Sequence, residues 1–162
     1  ALVNVYVSIG SNIAPEKNLR MACRQLSAFY GELQMSSVYQ NPAVGFDGDD
    51  FLNMVVGFAS NDGPEAVCQK LEQLHVEAGR VRFADPFSSR TLDVDMLLFG
   101  DRVSDQPQLP HADIEKYDYV LGPLAELAPT VRHPLKGSTM QALWHEFDKR
   151  EKGMMKVDIG LN

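Results

Sequence analysis

Between Leu2 and Phe99 the hydrophobic period switches between two and about 3.6 in a fixed order, and that order restricts the fold more than any single motif. Leu2 to Ser8 sets Val3, Val5 and Val7 against Leu2, Asn4, Tyr6 and Ser8, the pattern of a strand. Residues 16–30 bring Leu19, Ala22, Cys23, Leu26, Phe29 and Tyr30 to one helical face, with Pro15 in the first turn and Gly31 at the close. Gln34 to Tyr39 and Phe51 to Ala59 read as the second and third strands, separated by a loop rich in Gly and Asp. Asn61-Asp62-Gly63-Pro64 opens a second helix whose apolar face is Val67, Leu71, Leu74 and Ala78, ending at Gly79. Residues 80–90 read as irregular, and Leu92 to Phe99 as a fourth strand.

Strand, helix, strand, strand, helix, strand is the split βαβ pattern. The expected fold is therefore α+β with a ferredoxin-like βαββαβ core. Two shorter helices, around 120–127 and 138–148, are expected to pack at one edge, and residues 151–162 to form a loose tail or an extra edge strand. Gly10-Ser11-Asn12 reads as a turn after the first strand. No linker divides the 162 residues, so 1–162 reads as a single domain. This topology hosts many unrelated functions, and the function must come from a site.

Composition narrows the classes. A net charge of −7 argues against a general binder of nucleic acid or anionic membrane, which relies on clustered cations. No window reaches the ~18 consecutive apolar residues of a membrane span, and the N-terminal stretch has no basic region of a signal peptide. A cytoplasmic location is the expectation. Cys23 and Cys68 match no metal spacing and read as reduced thiols in or near the core. With no apolar stretch left over after the core is assigned, a monomer is expected.

Two aspartates interrupt the fourth strand. Asp93 and Asp95 stand two apart, so their carboxylates leave the same face of an otherwise apolar segment. Unpaired burial of both would cost several kcal/mol. Either that end of the strand is exposed and the pair decorates it, or the pair ligates hard cations such as Mg2+, which is held by carboxylates together with substrate phosphates. Upstream lie Arg80, Arg82 and Arg90. They fit a bidentate clamp on a polyphosphate, and they equally fit an ion network with Asp93, Asp95 and Glu77. His111, after Pro110, is placed to donate to a phosphate oxygen or to stabilise a turn. Neither Walker-type nor dinucleotide-binding glycine motifs occur, and no Cys/His cluster suggests zinc.

Taken together, Gly79-Arg80-Val81-Arg82 and Arg90-Thr91-Leu92-Asp93-Val94-Asp95 resemble the signature of the 6-hydroxymethyl-7,8-dihydropterin pyrophosphokinase family of folate biosynthesis. Ser8-Ile9-Gly10-Ser11-Asn12, Ser37-Val38-Tyr39, Phe51-Leu52-Asn53, Pro110-His111 and the segment from Gly122 to Pro129 extend the likeness over nearly the whole chain. The resemblance implies transfer of pyrophosphate from ATP to the pterin hydroxymethyl group, with release of AMP. It implies two Mg2+ ions on Asp93 and Asp95, and ATP on Arg80, Arg82, Arg90 and His111. Arg82 and Arg90 join the two aspartates as catalytic residues. Asn41, Val44, Phe51, Asn53 and Tyr119 are implied for the pterin, with Phe51 and Tyr119 stacking on its ring and Asn53 reading its edge.

Some positions depart from the family pattern: Asn41 where Thr is usual, Ala43 for Pro, His75 for Glu, Phe87 for Trp, Ala112 for an aromatic and Tyr117 for Arg. A non-catalytic pterin- or nucleotide-binding paralogue is the rival reading. An RNA-recognition module of the same topology would want a basic face, which the acidic balance opposes.

Overall fold

The computed structural model describes residues 1–43, 48–79, 92–147 and 154–161. The elements run β1 (Val3–Ser11), α1 (Pro15–Tyr30), β2 (Gln34–Met35), β3 (Val38–Asn41), β4 (Phe51–Ser60), α2 (Pro64–Glu77) and β5 (Asp93–Phe99). Then follow β6 (Ser104–Asp105), β7 (Gln108–Leu109), α3 (Asp113–Lys116), α4 (Asp118–Leu127), α5 (Met140–Glu146) and β8 (Met155–Val157). Pro15 and Pro64 occupy the first turns of α1 and α2, where a missing N–H costs nothing, and Gly31 at φ +83° ends α1.

The main sheet has the order β5-β1-β4-β3-β8, with β2 also on β4, and its pairings are antiparallel. β2 and β3 are one strand broken at Ser36, whose hydroxyl accepts the Val55 N–H at 2.9 Å in place of a ladder carbonyl. Of the two forms expected for the C-terminal segment, the extra edge strand is the one formed: it supplies β8, which pairs with β3. Residues 10 and 11 belong to β1: sheet neighbours on both sides hold Gly10 in the ladder, overriding the turn chemistry of Gly10-Ser11-Asn12.

Two apolar layers enclose the sheet. Val5, Val7, Ile9, Met54, Val56, Val94 and Met96 face α1 and α2 through Leu19, Leu26, Val67, Leu71 and Leu74. Val55, Leu97 and Leu98 face the opposite way and pack on Val120, Leu121, Leu124 and Met140. The C-terminal helices thus cover the second face of the sheet, not one edge as expected. Strand β4 explains why: it is buried without a break from Leu52 to Phe58, which requires cover on both sides. Glu126 ties α4 to β3, accepting the Ser37 hydroxyl at 2.6 Å and the Tyr39 hydroxyl at 2.8 Å.

Candidate functional site

Strand β1 is the axis of the site. Gly10 pairs with Asn53 on one side and Asp93 on the other. Directly opposed residues share a face, so Asp93, Gly10 and Asn53 stand in a row. Asp95 opposite Ser8, and Phe51 opposite Asn41, lie one pleat away on that same face. It is the face on which α4 packs. The helix covers Val55, Leu97 and Leu98, and the row lies toward its first turn, which carries Tyr119.

A register shift separates Tyr6↔Leu98 from Val7↔Met96, which leaves Leu97 as the extra residue of a bulge in β5. Its carbonyl accepts the His111 N–H at 2.9 Å, and this brings His111 beside Asp95. The His111 Nδ1 accepts the Asp113 N–H at 3.1 Å. The ring proton therefore sits on Nε2, which is then a donor. Asp95, His111 and Asp113 each offer a ligand atom within 4.8 Å of the others, and all three are partly exposed. Hard oxygen donors on an open face fit a divalent cation such as magnesium. Asp113 was not singled out from sequence; its signal was its place two residues after His111.

The other half of the row is drier. Asn41 and Asn53 are buried, and the Asn53 Nδ2 donates to the Asn41 Oδ1. Asn41 in turn donates to the Pro42 carbonyl at 3.3 Å. The pair fixes the Asn53 amide so that its Oδ1 lies over Gly10, where an added Cβ would come within 2.5 Å of it. This close approach explains the glycine, which composition alone marks only as a turn residue. Tyr119 stacks on Tyr117 with centroids 4.9 Å apart, and the Lys116 ammonium lies 5.2 Å from the Tyr117 ring. Burial pushes the Tyr119 phenol up, with Tyr117, Asp113, Asp118 and Asp93 acting in the same direction, so the ring is neutral. Val44, Arg80, Arg82, Phe87 and Arg90 lie outside the described residues.

A carboxylate group, a histidine donor and a buried amide with aromatic neighbours thus share one face of one sheet. The model of the 7,8-dihydro-6-hydroxymethylpterin-pyrophosphokinase (HPPK) family matches residues 6–129. This chain belongs to the HPPK family. A 2-amino-4-hydroxy-6-hydroxymethyldihydropteridine pyrophosphokinase of Synechocystis is 34% identical over 147 residues, covering 88% of this chain and 75% of its own length. One from Pseudomonas aeruginosa is 35% identical over 136 residues, covering 80% and 83% respectively. Among solved structures, Plasmodium falciparum HPPK-DHPS with pteroate superposes on 96% of this chain with a TM-score of 0.76 at 10% identity. The present chain spans 48% of that one, and the likeness carries the HPPK fold alone.

Proposed function

We propose that this chain transfers the pyrophosphoryl group of ATP to the hydroxymethyl oxygen of 6-hydroxymethyl-7,8-dihydropterin and releases AMP. One observation carries the proposal: Asp93 and Asn53 flank Gly10 on a single face, so a charged half and a heterocycle-reading half adjoin. The hydroxyl oxygen bonds to the β-phosphorus, the bridge from β-phosphorus to the α-phosphate breaks, and the hydroxyl proton is released. Bound magnesium supplies neutralisation of phosphate charge and a more acidic hydroxyl. Asp93 and Asp95 are the residues assigned to hold it, with two ions expected. His111 donates from Nε2 to a phosphate oxygen. Arg80, Arg82 and Arg90 are assigned to the phosphates on family resemblance, with Arg82 and Arg90 opposing charge that grows during transfer.

The pterin is assigned to Asn41, Val44, Phe51, Asn53 and Tyr119. The Asn41–Asn53 pair supports this, because a pre-oriented buried amide can read the polar edge of a flat heterocycle, while Phe51 and Tyr119 offer stacking faces. The sheet order β5-β1-β4-β3, with α1 and α2 on one face, supports the ferredoxin-like reading. Packing of both ends of the chain on one sheet supports a single domain over 1–162. ATP as donor and two free thiols support a cytoplasmic location. Among the described residues no helix is long and apolar enough to cross a membrane.

The deciding experiment is AMP release by the purified chain with Mg2+ and ATP, with and without the pterin alcohol. Stoichiometric AMP and pterin pyrophosphate are expected only with the pterin present. Binding of both ligands without AMP would overturn the proposal. Gly10→Ala is expected to raise the pterin KM about tenfold, since the displaced Asn53 loses a hydrogen bond to the ring, while ATP affinity stays unchanged. Separate titrations with pterin and ATP analogue check the split.

A further inference from the structure

One buried polar side chain beside the carboxylate strand has no part in the reaction as described. His75 lies on α2, which packs against β5, and is 6% exposed. Its Nε2 accepts the Val94 N–H at 2.8 Å. Its Nδ1 lies 3.1 Å from Oε2 of Glu72, three residues earlier on the helix. An accepting Nε2 puts the ring proton on Nδ1, which donates a hydrogen bond to the Glu72 carboxylate. The ring is thus held in one orientation from both sides.

Val94 is the residue between Asp93 and Asp95, and β5 is an edge strand paired with β1 on one side. A buried amide on the outer side of an edge strand needs an acceptor from elsewhere. The geometry points to His75 as a positioning residue that clamps the β5 backbone between the two aspartates and so fixes the spacing of their carboxylates. A leucine or methionine of similar size has no acceptor. A carboxylate at this position accepts the same N–H but adds a negative charge beside Asp93, whose Oδ1 is 4.0 Å from Nε2. Imidazole supplies the acceptor without that charge. The inference rests on the assignment of Asp93 and Asp95 to the metal–nucleotide complex.

The test uses the full chain and Mn2+ with an α,β-methylene ATP analogue, bound metal being read by its EPR signal. His75→Leu is expected to weaken Mn2+ binding about 10–100-fold, the scale seen when outer hydrogen-bond partners of metal ligands are removed. The Val94 amide should exchange faster with solvent, kcat should fall, and the pterin KM should hold. His75→Gln restores a neutral acceptor and should recover most of the affinity. Mn2+ affinity within twofold of the parent in His75→Leu, or a Gln variant no better than the Leu one, would overturn the role. If His75→Leu does not fold, Glu72→Leu serves: its carboxylate is 54% exposed, so the core is untouched, and affinity should fall in the same direction by a smaller factor. Unchanged affinity there counts against the clamp. A parent that binds Mn2+ at Asp95 but yields no AMP refutes the proposed activity and leaves the clamp standing; normal AMP release with an indifferent His75 does the reverse.

Discussion

Asp95→Asn lowers the rate of AMP release by about 10²–10³-fold and leaves the unfolding transition within a few degrees of the parent. The substitution keeps shape and strand register opposite Ser8 while removing one negative charge. Asp95 is half-buried and shares its surroundings with Asp113 and His111, so its neutralisation also relieves repulsion between carboxylates. The loss should lie in catalysis. Asp113→Asn should cost less, because that carboxylate stands on a short helix beyond the strand. The comparison needs only single-turnover AMP release and a thermal melt for each variant. Full activity in Asp95→Asn would remove the aspartates from the mechanism.

Leu124→Ala is expected to destabilise the chain by about 3–4 kcal/mol, near the upper part of the range for fully buried leucines. Leu124 has no exposed surface and belongs to the layer of Val55, Leu97, Leu98, Leu121 and Met140. The helix that carries it has 10 residues and an internal Pro123, which removes one i→i−4 hydrogen bond. Such a helix depends on packing more than on its own backbone. A urea titration should show a lower midpoint with an unchanged slope, since the same surface is exposed on unfolding. A shift worth less than about 1 kcal/mol would mean that this layer is not a close-packed core.

Local periodicity predicted the elements well and their layering poorly. The alternation of Val3, Val5 and Val7, and the helical spacing from Leu19 to Phe29, are properties of neighbouring residues; the helix formed where expected, and the strand formed but ran on through Gly10 to Ser11. The position of α4 on the second face is a long-range fact. Its sequence traces were the unbroken apolar runs Met54-Val55-Val56 and Met96-Leu97-Leu98-Phe99, too continuous for strands with one wet side. Gly10 was misread for a related reason. A Gly-Ser-Asn triplet has local turn chemistry, and only the approach of Asn53 from another strand reveals why the glycine stands there. The aspartate pair stands out in the sequence because a carboxylate at every second position of an apolar strand contradicts its own context. Asp113 was not, because an exposed acid on a short helix contradicts nothing. Likewise His75 stood out only as a departure from the family pattern, and the Val94 amide it receives could not be seen from sequence.

Gly10 joins the two halves through the middle strand, and its neighbours Asn53 and Asp93 come from distant stretches of chain. No contiguous fragment can rehearse the chemistry. A nascent chain that has emerged only as far as α2 holds Asn53, proposed to read the ring, but not Asp93 and Asp95, proposed to hold the metal and phosphates. On the proposed assignment, the two halves of the site first meet when β5 docks beside β1, so competence is a property of the finished sheet.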